Sequence, residues 1–544
     1  MEGLADFLDS LIGGVDFVMF CALIGGLIWV HTILRPWQTT HHYSKALLDN
    51  TTQLIYYGTI GLAITQAFAL LLKVWLMAAT LQQWPFPAFA GTLQFQAGLA
   101  RLLLVIVLAY FIKLRLTDNP QSHELWKTAA WGAVPIIIAG AWLTHGAGRF
   151  DYRLLLMTST VIHQVAAACW VGGIFQLLVV WHTHRQGQAA FTLWPAVLRQ
   201  FSKVGLTAVA VLALTGLPMA INFIDSINGL IGSGYGNLLM VKLMLLGLAL
   251  AMAYLNRKGT LEFFQQQRST LAFREVPNFI QAETFVLVSL VFTAVSLATQ
   301  PPAIDIPDTT ASWQEVIATF KPRVPMVISP THEELMAGEA GRTAIIGQVP
   351  SRAMTDWSDY NHNMAGIFVA AAALLSLAGY FRTNSLSPRW PLVLAALGLF
   401  LFIRSDPETW PMGPIGFWES TLNSGEILQH RIATLLAFFM GVMEYRARSQ
   451  QQANPKLIYL FPFLAAFGGL MLLTHSHVGF QPKTAFLIQA GHTLMGFFAI
   501  ILACARWLEL KLSDPAQQRI AGIIAGIAML QIGMILMFYQ EPLY

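Results

Sequence analysis

Apolar stretches of membrane-spanning length recur along the whole chain and alternate with short polar segments. A helix needs about 20 mainly apolar residues to cross a bilayer, and the pattern shows no strands of alternating polarity. We therefore predict an all-α fold, a polytopic transmembrane helical bundle of about 14 spans. The predicted spans are 15–34, 54–76, 98–116, 129–145, 154–181, 203–222, 238–256, 281–299, 362–381, 390–403, 427–445, 457–474, 484–507 and 519–538.

Basic residues in the connecting segments indicate how these spans are oriented. Lys and Arg recur in alternate loops, such as 35–45 and 185–203, whereas the turns at 77–97 and 223–237 carry none. Because short cytoplasmic loops carry the positive excess, we predict that both termini lie outside. No cleavage site follows the acidic start of the chain, so we interpret the first span as an uncleaved anchor.

Composition supports a membrane protein and excludes several other classes. Only 11% of the 544 residues are charged, against roughly 25% in soluble domains. The net charge of +4 comes from the inner loops and forms no basic stripe, so we expect no nucleic-acid partner. A phosphate-binding Gly-rich loop is absent, which argues against a nucleotide ligand and an ATP-driven pump. Cys21, Cys169 and Cys504 lie in separate spans and are interpreted as packing residues.

A polar, proline-bearing segment at 301–361 divides the chain. We predict an eight-helix membrane domain over 1–300, an extracytoplasmic loop over 301–361 and a six-helix membrane domain over 362–544. The loop is either a metal-collecting flap or an ordered connector, since it contains Met326, His332, Met336 and Met354.

Histidines concentrate in one leaflet of the predicted bilayer. An imidazole in hydrocarbon is costly unless it is satisfied, so such residues mark candidate functional sites. A shared ligand is one interpretation, and single histidines bonded to neighbouring helices are the other. The outer leaflet or its edge holds His145, His163, His362, His430, His475, His477 and His492.

Several short motifs in the first half carry a family resemblance. His163 and Trp170 are seven residues apart on one helix face, and the small residues Gly172 and Gly173 allow neighbouring helices to come close. Three further motifs follow in order, namely Thr215-Gly216-Leu217-Pro218, Tyr235 to Lys242 and Asn256-Arg257. Together these segments resemble the copper resistance protein D family of inner-membrane proteins, best over 140–300 and more loosely over 1–140.

The resemblance implies a protein of the bacterial inner membrane that moves copper toward the cytoplasm, usually with a periplasmic copper carrier. It implies metal-path roles for His163 and Trp170 and, less directly, for His145. His182 and His184 end the same span, about 28 Å of helix beyond His163. They are either exit ligands or solvated loop histidines.

The second half presents histidines on four helices. Imidazole and thioether groups suit copper, so we predict a metal site formed by His362, Met364, His430, His475, His477 and His492. His475 is preferred to His477 as the ligand. Residues two positions apart on a helix point about 160° apart, so only one of the two is expected to face the site. Glu426, four residues before His430, is predicted to orient its ring.

Three functions remain open from the sequence. The leading one is a copper-binding membrane protein that takes the ion outside and passes it inward without an enzymatic step. The second is a membrane oxidoreductase that binds haem b through His430 and His492. The third is an assembly factor that donates copper to another membrane enzyme. The oligomeric state is undetermined by the residues.

Overall fold

The computed structural model describes residues 2–38, 45–81, 83–149, 151–187, 193–266, 271–339, 351–381, 386–449, 455–474 and 482–542. Their regular structure is helical, and the only strand-like feature in these ranges is an isolated bridge between Thr409 and Ile415. The predicted all-α polytopic bundle is confirmed. The long helices are α1 Phe7–Leu34, α2 Lys45–Leu81, α3 Leu93–Leu116, α4 His123–Ala141, α5 Arg153–Arg185, α6 Leu193–Phe223, α7 Gly234–Gln266, α8 Val276–Thr299, α9 Arg352–Phe381, α10 Pro391–Arg404, α11 Gly425–Ser449, α12 Leu460–Thr474, α13 Pro482–Lys511 and α14 Pro515–Met537.

In this part of the chain, 13 helices are long and apolar enough to cross a membrane, against the 14 spans predicted. The difference is α4, which corresponds to the predicted span 129–145. Its first turns carry Glu124 and Lys127, and it ends at Ala141, so its apolar length is shorter than expected.

α4 nevertheless lies beside a helix that meets the spanning criteria. A Cβ atom on Gly132 would contact Leu108 of α3, and one on Gly140 would contact Arg101, each at 3.5 Å. Since the residue numbers run in opposite directions, the two helices are antiparallel and cover the same depth. The number of crossings, and with it the side on which the termini lie, stays a prediction.

The chain forms two compact units. The N-terminal unit comprises residues 9–223 and 248–298, and the C-terminal unit comprises 1–8, 224–247 and 299–544. Most of the predicted extracytoplasmic loop therefore belongs to the C-terminal unit. There Ser312 and Glu315 form a capping box at the start of a short helix, Trp313–Thr319, which packs on α13. The predicted division into domains is compatible with a break near 298 and remains a prediction.

Within the N-terminal unit, α5 packs between α1 and α6. The contact with α1 is made by backbone, because a Cβ atom on Gly172 would lie 2.1 Å from the carbonyl oxygen of Cys21. One on Gly25 of α1 would lie 2.0 Å from the carbonyl oxygen of Ala168. The close helix approach predicted from the small residues of this span is therefore confirmed.

The C-terminal unit is a ring of six helices. Each helix contacts the next in the order α9, α14, α13, α12, α11, α10 and back to α9. At one end the ring is held by a buried ionic network in which Arg506 donates to Glu444 at 2.7 Å and to Glu509 at 2.6 Å. Tyr380 donates to the same Glu509, and Arg448 donates to Glu444 at 2.8 Å.

α9 begins at Arg352, ten residues before the predicted span 362–381. The extra turns are polar in sequence, yet Trp357, Asp359 and Asn361 are buried in the structure. Asp359 accepts a hydrogen bond from the backbone of Glu541, and Asn361 donates to the carbonyl oxygen of Arg404 at 2.8 Å. Tertiary partners therefore satisfy polar groups that hydropathy assigns to a loop.

Candidate metal-binding sites

His163 lies ten residues into α5, about 15 Å along the helix from Arg153. Its Nδ1 atom is 2.9 Å from Oγ1 of Thr215 on α6. Thr215 donates its own proton to the carbonyl oxygen of Val211 at 2.7 Å. The hydroxyl therefore accepts from Nδ1–H, which leaves the lone pair of the neutral ring on Nε2, one of the two ring nitrogens through which histidine binds metals.

A thioether lies one turn away from this pair. Oγ1 of Thr160 on α5 lies 3.4 Å from Sδ of Met219 on α6 and donates its proton to the carbonyl oxygen of Leu156 at 2.8 Å. Thr160 is three residues from His163, and Met219 is four residues from Thr215. Imidazole and thioether are ligands that suit copper. The α5–α6 contact thus holds two groups of the right chemistry about one helical turn apart.

Trp170 lies two turns farther along the same face of α5. Its indole Nε1 donates to Oε1 of Glu283 on α8 at 3.0 Å. Asn256 of α7 donates to Oε2 of the same carboxylate at 2.6 Å. Glu283 is 1% exposed. Trp170, a predicted path residue, therefore contacts a buried carboxylate that sequence reasoning missed.

Of the remaining first-half candidates, His182 and His184 are not brought to His163. His145 follows α4 after a break and starts a separate four-residue turn, so it does not close the span as predicted. His182 is exposed and lies 2.9 Å from the side-chain amide of Gln186. His184 stacks on Trp181, with ring centroids 5.5 Å apart. Both therefore sit at the far end of α5, some 28 Å beyond His163.

In the C-terminal unit, His362 of α9 and His492 of α13 form a pair. Their ring centroids are 6.0 Å apart and their planes nearly perpendicular. Each Nδ1 binds a carbonyl oxygen one turn back, that of Ser358 at 2.8 Å and that of Ile488 at 2.9 Å. Both rings therefore carry the proton on Nδ1. An ion held between two imidazole nitrogens at about 2.0 Å separates ring centroids by roughly 6 Å.

His430 of α11 is the third histidine at this end of the ring, and it interacts electrostatically with both His362 and His492. Its Nδ1 lies 2.9 Å from Oδ1 of Asp406. The predicted orienting carboxylate, Glu426, is exposed and does not make this bond. Asp406 replaces it because the loop after α10 returns over α11, a contact that helix periodicity cannot reveal.

The segment after α14 covers the histidine pair. The ring of Tyr539 stacks on His362 at 4.1 Å and lies 6.4 Å from His492. Its hydroxyl donates to Glu541 at 2.8 Å, and Glu541 also accepts from Ser358 at 2.8 Å. These bonds hold the Tyr539 ring and the Glu541 carboxylate beside the His362–His492 pair.

Charges around this end favour an anionic Asp406 and a neutral Tyr539. Burial opposes the ionisation of Asp406, but the hydrogen bond and charge of His430 outweigh it, so the pKa of Asp406 lies below its usual value. Burial, reinforced by Glu541, raises the pKa of Tyr539 well above its usual value.

Of the other predicted ligands, Met364 does not join this arrangement. Met364 lies two residues from His362 on a continuous helix, hence on nearly the opposite face. His475 and His477 lie outside the described residues. Among the residues that are described, no three side chains of His, Cys, Asp or Glu converge on one ion position. The geometry therefore brings together a histidine pair with a third imidazole nearby.

Comparison with known proteins gives a family match over one segment of the chain. Residues 195–297 match the family model of copper resistance protein D. The chain is CopD-like over this segment. Copper transport protein CutJ of Bacillus subtilis (strain 168) is 26% identical over 206 residues, which is 36% of this chain and 36% of CutJ. The chain thus spans about a third of that relative's length. No solved structure gives a significant match.

The predicted family resemblance is confirmed, although the family match is narrower than the predicted range 1–300. The CopD-like segment contains Thr215, Asn256 and Glu283. His163 and Trp170 lie before it, yet each forms its hydrogen bond with a residue inside it. The comparisons do not support haem.

Sequence reasoning missed three functional candidates, and only one of them carried a recognisable signal in the sequence. Glu283 is an acidic residue within the predicted span 281–299, and this intramembrane charge was a usable signal. Asp406 and Tyr539 lie in connecting or terminal segments, where nothing in the local pattern distinguishes them from solvated residues.

Proposed function

We propose that this protein takes copper at an extracytoplasmic face and moves it toward the cytoplasm, acting as a transporter rather than an enzyme. The observation that carries the proposal is the pairing of His163 with Thr215. In this pairing Thr215 of the CopD-like segment orients an imidazole whose Nε2 can bind a metal, and a thioether lies one turn away. CutJ, which is similar in sequence to part of this chain, is named as a copper transport protein.

The path through the N-terminal unit follows α5. Copper binds first near His163 and Met219, where imidazole and sulfur are available. It then passes Trp170 toward the end that carries His182 and His184. The membrane is the bacterial inner membrane, and the donor is a periplasmic copper carrier.

The C-terminal unit supplies a separate metal site at its extracytoplasmic end. His362 and His492 hold the ion, and His430 lies beside them with its ring oriented by Asp406. A carboxylate bonded to a histidine in this way fixes the ring and raises its basicity as a ligand. This site receives copper and buffers it, with the polar segment 301–339 as an ordered connector.

Copper flux into proteoliposomes tests the path. We expect His163→Ala to reduce the initial uptake rate at least tenfold, because it removes the imidazole at the entrance. Thr215→Val, which removes only the orienting hydroxyl, should cause a smaller loss. Thr207→Ala, an exposed threonine on the same helix, is the matched control. Equal uptake by wild type and His163→Ala overturns the path, and copper binding without any flux indicates a donor.

Metal analysis of the purified protein tests the second site independently. We expect the double variant His362→Ala, His492→Ala to lose one bound copper relative to wild type. His332→Ala, an exposed histidine of the same unit, should keep full occupancy. Full copper content in the double variant refutes the assignment of this pair.

A further inference from the structure

The carboxylate of Glu283 is buried in the N-terminal unit without a cationic partner. Its two oxygens accept hydrogen bonds from an indole and an amide, Trp170 of α5 and Asn256 of α7. Both groups that face it from these packed helices are neutral. No charged side chain among the described residues acts on it electrostatically, and it belongs to none of their ion pairs.

Another buried carboxylate in the same unit is neutralised in the ordinary way. Asp16 of α1 lies 2.9 Å from the guanidinium of Arg101, which also donates to Gln66. An isolated ionised carboxylate in an apolar interior costs far more than a bonded neutral group, and proteins avoid it by pairing or by protonation. Glu283 lacks the pairing, so a mobile cation has to supply the balancing charge.

A proton fits this position better than copper does. Both carboxylate oxygens already accept hydrogen bonds, and oxygen ligands suit hard cations rather than Cu(I). The side chain of Asn256 can serve both protonation states. Its Nδ2 donates to the ionised carboxylate, and its Oδ1 is buried without a hydrogen-bond partner in the structure. An amide turned by 180° offers that oxygen to the O–H of a protonated Glu283.

We propose that Glu283 carries the proton that is exchanged for copper in the N-terminal unit. When Cu(I) enters the unit from outside, the O–H bond of Glu283 breaks and the proton leaves to the outside water; when Cu(I) leaves to the interior, a proton returns to Glu283 from the interior. Each Cu(I) brings the single positive charge that the proton removes, and no electron is transferred. Trp170, whose indole contacts this carboxylate, lies two turns beyond His163 on the proposed copper path. The inference rests on the proposed function for the identity of the exchanged ion, but the protonation site stands on the geometry of Glu283 alone.

Infrared spectroscopy of the purified protein tests the site without transport. A protonated carboxyl band should be lost in Glu283→Gln, which keeps the size of the side chain, and should shift in Trp170→Phe and Asn256→Leu. Glu124→Gln is the control, since the Glu124 side chain is 77% exposed and paired with Lys127. A band that survives in Glu283→Gln, or the absence of any such band in folded wild type, overturns the proposal.

Proteoliposomes that contain a pH-sensitive dye test the exchange. Copper entry into wild-type vesicles should make the interior more alkaline, because protons leave, and Glu283→Gln should abolish this change. Copper uptake with no pH change in wild type overturns the exchange while leaving the transport function intact. No copper uptake, with the infrared band present and lost in Glu283→Gln, overturns the transport function and keeps the protonation site.

Discussion

Replacing Asp406 by Asn tests how the histidine site of the C-terminal unit holds metal. Asp406 lies 2.9 Å from Nδ1 of His430, and its side chain is 11% exposed, whereas that of His430 is 33% exposed. Asparagine has nearly the same volume and keeps one oxygen as an acceptor. The substitution therefore removes the negative charge while it preserves the packing and leaves the hydrogen bond possible.

The expected magnitude follows from the role of such carboxylates. Loss of a partner that orients a metal-binding histidine typically lowers metal affinity about 10- to 100-fold. Because Asn retains a weaker hydrogen bond and His430 is one-third exposed, we expect the lower end of that range. A tenfold loss corresponds to about 1.4 kcal/mol of binding free energy.

Competition for Cu(I) with a chromogenic chelator measures this affinity in purified protein. Glu426→Gln is the matched control, because Glu426 is the acidic residue one turn before His430 and is exposed. We expect the control to bind as wild type does. Unchanged affinity in Asp406→Asn, or an equal loss in Glu426→Gln, refutes the orientation of His430 by Asp406.

Three further predictions concern packing, acid stability and access. Gly172→Ala should lower the thermal midpoint through overpacking of about 1–3 kcal/mol, because its Cβ would meet the backbone of α1, whereas Gly247→Ala, with open space at this position, should not. The Lys483 ammonium, with Ser312, lowers the pKa of Glu315 from 4.5 to about 2. The ionised Glu315 carboxylate therefore stabilises the fold fully above its pKa in the unfolded chain, 4.5, and this stabilisation is lost as pH falls from 4.5 toward 2. Glu315→Gln should flatten acid unfolding, monitored by Trp313 fluorescence, in that window; an unchanged profile contradicts the pairing. Tyr539→Ala should speed copper binding to the C-terminal unit in stopped-flow measurements, since the ring stacks on His362 at 4.1 Å; an unchanged rate contradicts a covering role.

The sequence was sufficient for those features that depend on local chemistry. Apolar runs near 20 residues become helices in a bilayer because each backbone polar group must be bonded within its own segment. The short span predicted at 390–403 is present as Pro391–Arg404 for this reason. The His163, Thr215 and Asn256 motifs likewise supported the CopD-like family, since the order of short motifs is a property of the chain itself.

The start of α9 shows where local pattern fails. Asp359 and Asn361 make the stretch before residue 362 polar, so hydropathy placed it in a loop. In the structure Asn361 donates to the carbonyl oxygen of Arg404, and Asp359 accepts from the backbone of Glu541. Hydropathy counts the cost of burying these groups but not the partners that offset it.

The candidate sites show the same difference between what local sequence pattern determines and what tertiary contacts decide. The sequence by itself determined which residues have metal-binding chemistry and where along its helix each one lies, because that position follows from residue number. Only the tertiary structure decided that His362 pairs with His492, that Asp406 holds His430 and that Glu283 meets Trp170, residues 130, 24 and 113 positions apart. Contacts between helices depend on which faces pack together, and the 3.6-residue period of one helix contains no record of its neighbour.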